Sequence, residues 1–302
     1  MNKLSRSQRA QIIGMMVEGM SIRSITRLTG ASKNTVAKLL VDAGTACMEY
    51  QDQAFRNLGC ERIQCDEIWS FVYAKAKNIP EEKRGHFGYG DVWTWTAIDA
   101  DTKLVPSFYV GPRDAVSAVE FMQDVAARLK KRVQLTTDGL KSYLFAVSAA
   151  FGKDNIDYAM LVKKYGSPVI GENPNTRETR YSPPICTGCE IDVKFGAPDP
   201  EHINTSYVER QNLSMRMGMR RFTRLTNAFS KKLDNHVHAL AIYFMHYNFV
   251  RVHQTLRCTP AMQASVTDKL WSLDDIAALV EAREESAAEI TRKGWTSRKS
   301  AK

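Results

Sequence analysis

Long apolar runs are missing from this 302-residue chain, and none approaches the ~18 residues needed to cross a bilayer as a helix. A helical membrane protein is thereby excluded, and a soluble cytoplasmic protein is expected. Cysteine is scarce. Cys47, Cys60, Cys65, Cys186, Cys189 and Cys258, in a long chain that opens without a secretory signal, read as reduced thiols and not as a disulfide framework. No internal repeat is visible. Charged residues stop at 25% while hydrophobic ones reach 44%, so the bulk of the chain can bury a core, enough for one large domain and a small one.

What the chain does carry is unevenly placed positive charge. The net +9 is compatible with a polyanionic partner but decides little alone. Its distribution says more: +4 over residues 1–59, −2 over 60–206, +7 over 207–257, −5 over 258–290, and +5 in the tail from Thr291. Basic flanks around a slightly acidic centre suit an enzyme that holds metal with carboxylates and a polyanion with its surface. An ordinary protein with a basic helix has the same balance.

Residues 1–44 read as three short helices. Ser5 opens the first, with Ile12, Ile13, Met16 and Val17 at helical spacing; Ser21 caps a second holding Ile22, Ile25 and Leu28; Gly30 turns the chain and Ser32 caps a third. The third helix points Val36, Leu39 and Leu40 inward and Lys33, Asn34, Thr35 and Lys38 outward. Residues 45–60 form a helical connector. From Glu61 the period changes to that of strands, at Arg62–Tyr73, Val92–Asp99 and Leu104–Val110, with Pro106 placing the third at a sheet edge. Asp114 caps a helix running to about Lys131, with Val116 and Phe121 among its apolar residues. A fourth strand, Val133–Thr137, ends in Asp138-Gly139. A short helix (142–151) and a fifth strand (158–163) follow. Residues 166–200 read as a long loop inserted in a core spanning 61–258. Helices resume near Asn204 and run, with breaks, to Asn248. Residues 259–302 comprise a helix from about Ser272 and a disordered basic tail.

Strand, strand, strand, helix, strand, helix, strand, then helices is the order of an RNase H-like α/β fold with a mixed sheet. Two-metal phosphoryl chemistry on such a sheet asks for carboxylates at set places. One belongs mid-way along the first strand, one at the end of its neighbour, and one on a later helix packed over both. Asp66 in Gln-Cys-Asp-Glu-Ile-Trp, Asp138 in Leu-Thr-Thr-Asp-Gly and Glu209 in Ser-Tyr-Val-Glu-Arg-Gln-Asn meet these requirements. Alone, each has a bland reading: a carboxylate on a half-buried strand, a turn residue before glycine, a solvated helix residue. Together, on the right elements in the right order, they favour the site, holding two Mg²⁺ or Mn²⁺ ions. Glu67, Asp91, Asp99, Asp101 and Asp114 are competitors read as turn, cap or surface groups.

These residues resemble the signature of DDE-class bacterial insertion-sequence transposases, particularly the insertion sequence one family: Asp, Asp and Glu, with a basic residue seven positions after the Glu, here Arg216. The segment Tyr247-Asn248-Phe249-Val250-Arg251-Val252-His253 is similar to one that follows the Glu in many transposases and integrases. The resemblance implies an enzyme that binds transposon-end DNA, frees 3′-hydroxyls and joins them to target DNA. In that scheme Asp66 and Asp138 bridge both metals, Glu209 holds one, and Arg216 steadies a phosphate. Double-stranded DNA, a homo-oligomer on that DNA and a nucleoid-associated location are then expected. A cysteine-rich segment often found ahead of the DNA-reading helices in that family is missing here.

The head reads as a helix-turn-helix whose Lys33, Asn34, Thr35 and Lys38 face DNA, although such helical pairs also serve as plain interaction modules. Arg220, Arg221 and Arg224 continue the basic run beyond Arg216 and are read as phosphate contacts, against the alternative of a solvated face. Cys186 and Cys189 have the spacing of half a zinc knuckle, with His202 or Cys258 as possible completions. Two rival functions remain: a catalytically inactive DNA-binding regulator, and an RNase H-like nuclease that cuts without joining.

Overall fold

The computed structural model describes residues 3–166, 185–223 and 227–299. Its centre is a six-stranded mixed sheet. The strands are β1 (Arg62–Val72), β2 (Gly90–Asp99), β3 (Ser107–Gly111), β4 (Gln134–Thr137), β5 (Asp157–Gly166) and β6 (Ile185–Phe195). Their spatial order is β3-β2-β1-β4-β5-β6. The first three pair antiparallel as meandering neighbours, while β4 and β5 lie parallel to β1. This is the RNase H-like arrangement that the element order predicts.

β3 is the sheet edge, as expected, but it begins at Ser107. Pro106 lies just before it, in a segment held another way. The buried Asn248 amide accepts from Val105 N–H at 3.0 Å and donates to Val105 C=O at 3.0 Å, while Tyr247 Oη donates to Lys103 C=O at 2.9 Å. The Tyr-Asn pair therefore clasps the approach to the edge strand. The predicted loop 166–200 also contains a strand. β6 pairs antiparallel with β5 from Tyr158–Phe195 to Gly166–Ile185. Residues 167–184 of that loop lie outside the described residues.

Helices α4 (Ala115–Arg128) and α5 (Ser142–Phe151) cover one face, burying Phe121, Val125, Tyr143 and Val147 against Trp95 and Cys65. Asp114 caps α4 by accepting from Ser117 N–H at 2.8 Å. Helices α6 (Ser206–Gly218) and α7 (Leu233–Met245, continued as a π turn to Val250) cover the other. There Ile68 and Ile98 meet Val208, Met215, Leu240 and Phe244.

The head comprises α1 (Arg6–Val17), α2 (Ile22–Thr29) and α3 (Lys33–Ala54). Gly30 closes α2 at φ +72°, and Ser32 caps α3 by accepting from Thr35 N–H. Against expectation, the third helix and the connector are one continuous element of 22 residues. Ile25, Val36 and Leu39 are buried as predicted, whereas Leu28 is 60% exposed and Val116 on α4 70%. α3 packs along α7, so closely that a Cβ on Gly44 would meet His238 Cβ at 2.3 Å. A last helix, α8 (Leu273–Lys299), starts at Ser272 as predicted and packs on α1 and α3; it continues as helix through the stretch expected to be a disordered tail, of which residues 300–302 lie outside the described residues. Head, sheet and terminal helices share one apolar cluster.

Candidate active site

The parallel pairing of β1 and β4 runs from Arg62–Gln134 to Cys65–Thr137. One residue beyond that pairing stand Asp66, part-way along β1, and Asp138, just past the end of β4, at the same level on neighbouring parallel strands. α6 crosses above and is tied to β1 at two points. At its start, Gln64 Oε1 accepts from Tyr207 N–H at 2.9 Å and Val208 N–H at 3.2 Å, satisfying two donors that a helix N-terminus leaves open. One turn on, Asn212 donates to Asp66 Oδ2 at 2.8 Å. Between these ties sits Glu209. Gln64→Ala strips both helix-start N–H groups of their acceptor, and a loss of about 1–3 kcal/mol is expected in urea melts; an unchanged midpoint would show that Gln64 does not secure α6.

These elements frame an open cleft of about 840 Å³, lined by Asp66, Glu67, Arg113, Asp138, Lys163, Glu209, Asn212 and Arg216 among others. All four residues predicted for catalysis thus reach one cleft. Their contacts there are unequal. Ligand oxygens of Asp66, Asp138 and Glu67 lie within 4.8 Å of one another, whereas the Glu209 carboxylate pairs with Lys163 of β5 and accepts from Thr205 Oγ1 at 2.6 Å. Glu67, read from sequence as a turn, cap or surface group, is buried: its side chain has 0% exposure and holds Arg113 and Tyr143. The other competitors behave as expected or stay outside. Asp99 closes a turn onto Thr102, Asp101 pairs with Arg62, and Asp91 is exposed on β2.

Three converging carboxylates repel one another. Burial, then Glu67, then Asp138 push the Asp66 carboxyl up to about 7, and burial likewise raises Asp138 and Glu67. An all-oxygen donor set with this deficit of positive charge fits a hard divalent cation such as Mg²⁺ or Mn²⁺. Because the Asp66 group titrates above its unfolded value, its contribution to stability is complete below pH ~4 and is lost as pH rises through about 7 in the cation-free protein. A bound cation must displace that proton. Mn²⁺ affinity is therefore expected to rise about tenfold per unit below pH 7 and to level off above it, measured by calorimetry; a flat profile from pH 5.5 to 8 would remove Asp66 from the cation site.

The predicted DNA-contacting residues separate into groups. Lys33 and Asn34 are exposed at the start of α3 and Thr35 is half-buried there, while Lys38 is exposed and paired with Asp42. Arg216 and Arg220 are exposed near the end of α6. Arg221 turns inward: its guanidinium donates to Ser230 Oγ, and burial lowers its pKa to about 10, so it braces the α6–α7 junction. Arg224 lies outside the described residues. Cys186 and Cys189 are exposed on β6, and among the described residues no third ligand joins them.

Sequence reading missed Arg113, Lys163, Asn212 and Gln64. Asn212 alone carried a signal, since it stands three residues after Glu209 and so shares its helix face. No protein-family model matches the chain, and no curated protein does. Among solved structures, the piggyBac transposase synaptic complex with hairpin DNA is similar at 11% identity and a TM-score of 0.37, over 93% of this chain and 72% of that one. The Mos1 strand transfer complex is similar at 13% identity and a TM-score of 0.23, over 81% of this chain and 76% of that one. Scores this low add no weight to the geometry above.

Proposed function

We propose that the protein is a DDE-type transposase that cleaves transposon-end DNA and joins the freed 3′ ends to target DNA. The observation that carries this reading is the convergence of Asp66 and Asp138 from adjacent parallel strands beneath a helix bearing Glu209 and Arg216, over one open cleft. Asp66 and Asp138 would hold divalent cations, with Glu209 joining once it leaves Lys163. When bound, two such ions activate an attacking oxygen and stabilise a leaving one. The chain's own residues place the substrate. Asn212 and Gln64 fix the helix over the carboxylates, and Arg216, seven residues after Glu209, brings a guanidinium to the cleft. In cleavage a water oxygen bonds to phosphorus as the bond to the 3′-oxygen breaks; in joining, that 3′-oxygen bonds to a target phosphorus as the target strand's own P–O3′ bond breaks, leaving a 3′-hydroxyl on the target. Incubating the protein with a duplex carrying its terminal repeat, Mg²⁺ and a target plasmid is expected to yield nicked and then joined product. Nicks without joining would favour a nuclease, and neither product would favour a regulator.

In this reading the start of α3 reads DNA. Lys33→Ala with Asn34→Ala is expected to weaken end binding about tenfold or more and to flatten its salt dependence, because released counterions scale with basic contacts. Unchanged affinity and salt slope in gel-shift titrations would assign recognition elsewhere.

A further inference from the structure

Arg113 stands between two anchors. Before it, Pro112 C=O accepts from Trp95 Nε1 at 3.2 Å, and after it Asp114 caps α4. The backbone of the residue is thus pinned on both sides. Its guanidinium is pinned as well. Nε donates to Glu67 Oε1 at 2.7 Å, Nη2 pairs with the same oxygen at 2.7 Å, and Cζ lies 4.8 Å from the Trp93 ring centre. The second Glu67 oxygen accepts from Tyr143 Oη at 3.0 Å.

The order of these residues follows from the strands. Glu67 comes next after Asp66 on β1, so its side chain leaves toward α4 and α5, where its cross-strand neighbour is Trp95. Trp93, two residues along β2, shares that face and supports the guanidinium. A carboxylate buried to this depth is costly unless it is charge-paired and fully hydrogen-bonded. Here that pairing holds an arginine at the cleft wall, with Nη2 3.7 Å from Asp138 Oδ2 and the side chain 40% exposed. Among the described residues nothing bonds to Nη1. The fork is charged, held along its Nε–Nη2 edge by Glu67 and open at Nη1.

We propose that Arg113 is a catalytic residue that binds a non-bridging oxygen of the reacting phosphate, and that Glu67 is its positioning residue. The inference rests on the phosphoryl-transfer reading above. A DNA phosphate cannot approach Asp66 and Asp138 without positive charge to meet it, and a donor fixed in advance stabilises developing charge without reorganising. Trp93 and Glu67 supply that fixity.

Single-turnover cleavage of an end duplex under Mn²⁺ tests the assignment. Arg113→Ala is expected to slow cleavage on the order of 10²-fold while DNA and Mn²⁺ affinity stay near those of the wild type; Tm should fall, because Glu67 is left buried without its partner. Arg113→Lys should recover part of the rate, since a point charge replaces the fork. Glu67→Gln keeps hydrogen bonds but loosens the pairing, and a loss of about tenfold in rate, not in affinity, is expected. Wild-type cleavage by Arg113→Ala, with Asp66→Asn inactive, overturns the assignment and leaves the transposase reading standing. Loss of cleavage accompanied by lost Mn²⁺ binding, or no recovery in Arg113→Lys, overturns it in favour of a structural ion pair. Absence of cleavage by the wild type itself overturns both.

Discussion

Asp66→Asn and Asp138→Asn are each expected to abolish strand cleavage and joining, by about 10³-fold or more, which is ~4 kcal/mol of barrier. The amides keep nearly the same shape, and the Asn212 bond to position 66 retains an acceptor in the amide oxygen, so the cleft should persist. What disappears is charge at the point where β4 ends beside the still-running β1. The same substitutions relieve the repulsion that raises Asp66, so Tm of the cation-free protein should hold or rise at pH 8. The DNA binding proposed for the start of α3 should survive. Glu209→Gln should be similarly inactive but different in kind, because it also releases Lys163. Near-wild-type cleavage by any one of the three, assayed in Mg²⁺ and Mn²⁺, would take that residue out of the site.

Removing the head should be just as damaging, for a different reason. A chain starting at Glu61 loses α1 to α3 and with them Ile12, Ile13, Leu40 and Phe55, all nearly inaccessible and all part of the cluster that continues into the sheet and α7. Each such side chain is worth ~1.5–3 kcal/mol when buried, and a whole domain has only ~5–15 kcal/mol to lose. Buried polar groups suffer too. Gln51 on α3 donates to Ala241 C=O at 3.2 Å on α7. The fragment is expected to be insoluble or molten, with no cooperative melt by circular dichroism; a sharp unfolding transition would show that the head is dispensable to the fold.

Much of this was legible in the sequence because period and position are local properties. Alternation marked β1, the caps at Ser5, Ser21, Ser32 and Asp114 marked four helix starts, and order alone placed Asp66, Asp138 and Glu209 in one cleft. What escaped depends on contacts between distant residues. Glu67 looked like a surface acid because a strand's parity does not reveal whether its partner is water or Arg113, 46 positions away. Asn248 sat in a stretch linked by resemblance to function, yet it is buried and spends its amide on Val105. β6 lies in a stretch rich in Pro, Gly, Asn and Thr, which reads as loop; its register on β5 skips Thr187, so the strand also carries a bulge that breaks a period of two.

The uninterrupted course of α3 has a consequence for distance. At 1.5 Å per residue its 22 residues span about 33 Å, from the turn after Gly30 to the threshold of the sheet. α7 and α8 pack along this rod and brace it. If its outer end touches DNA, the interval between the bases it meets and the bond held over Asp66 becomes a fixed length, measured by the protein as by a ruler. One residue added within α3 would turn the outer end by about 100° around the helix axis, and the ruler would then point off the groove.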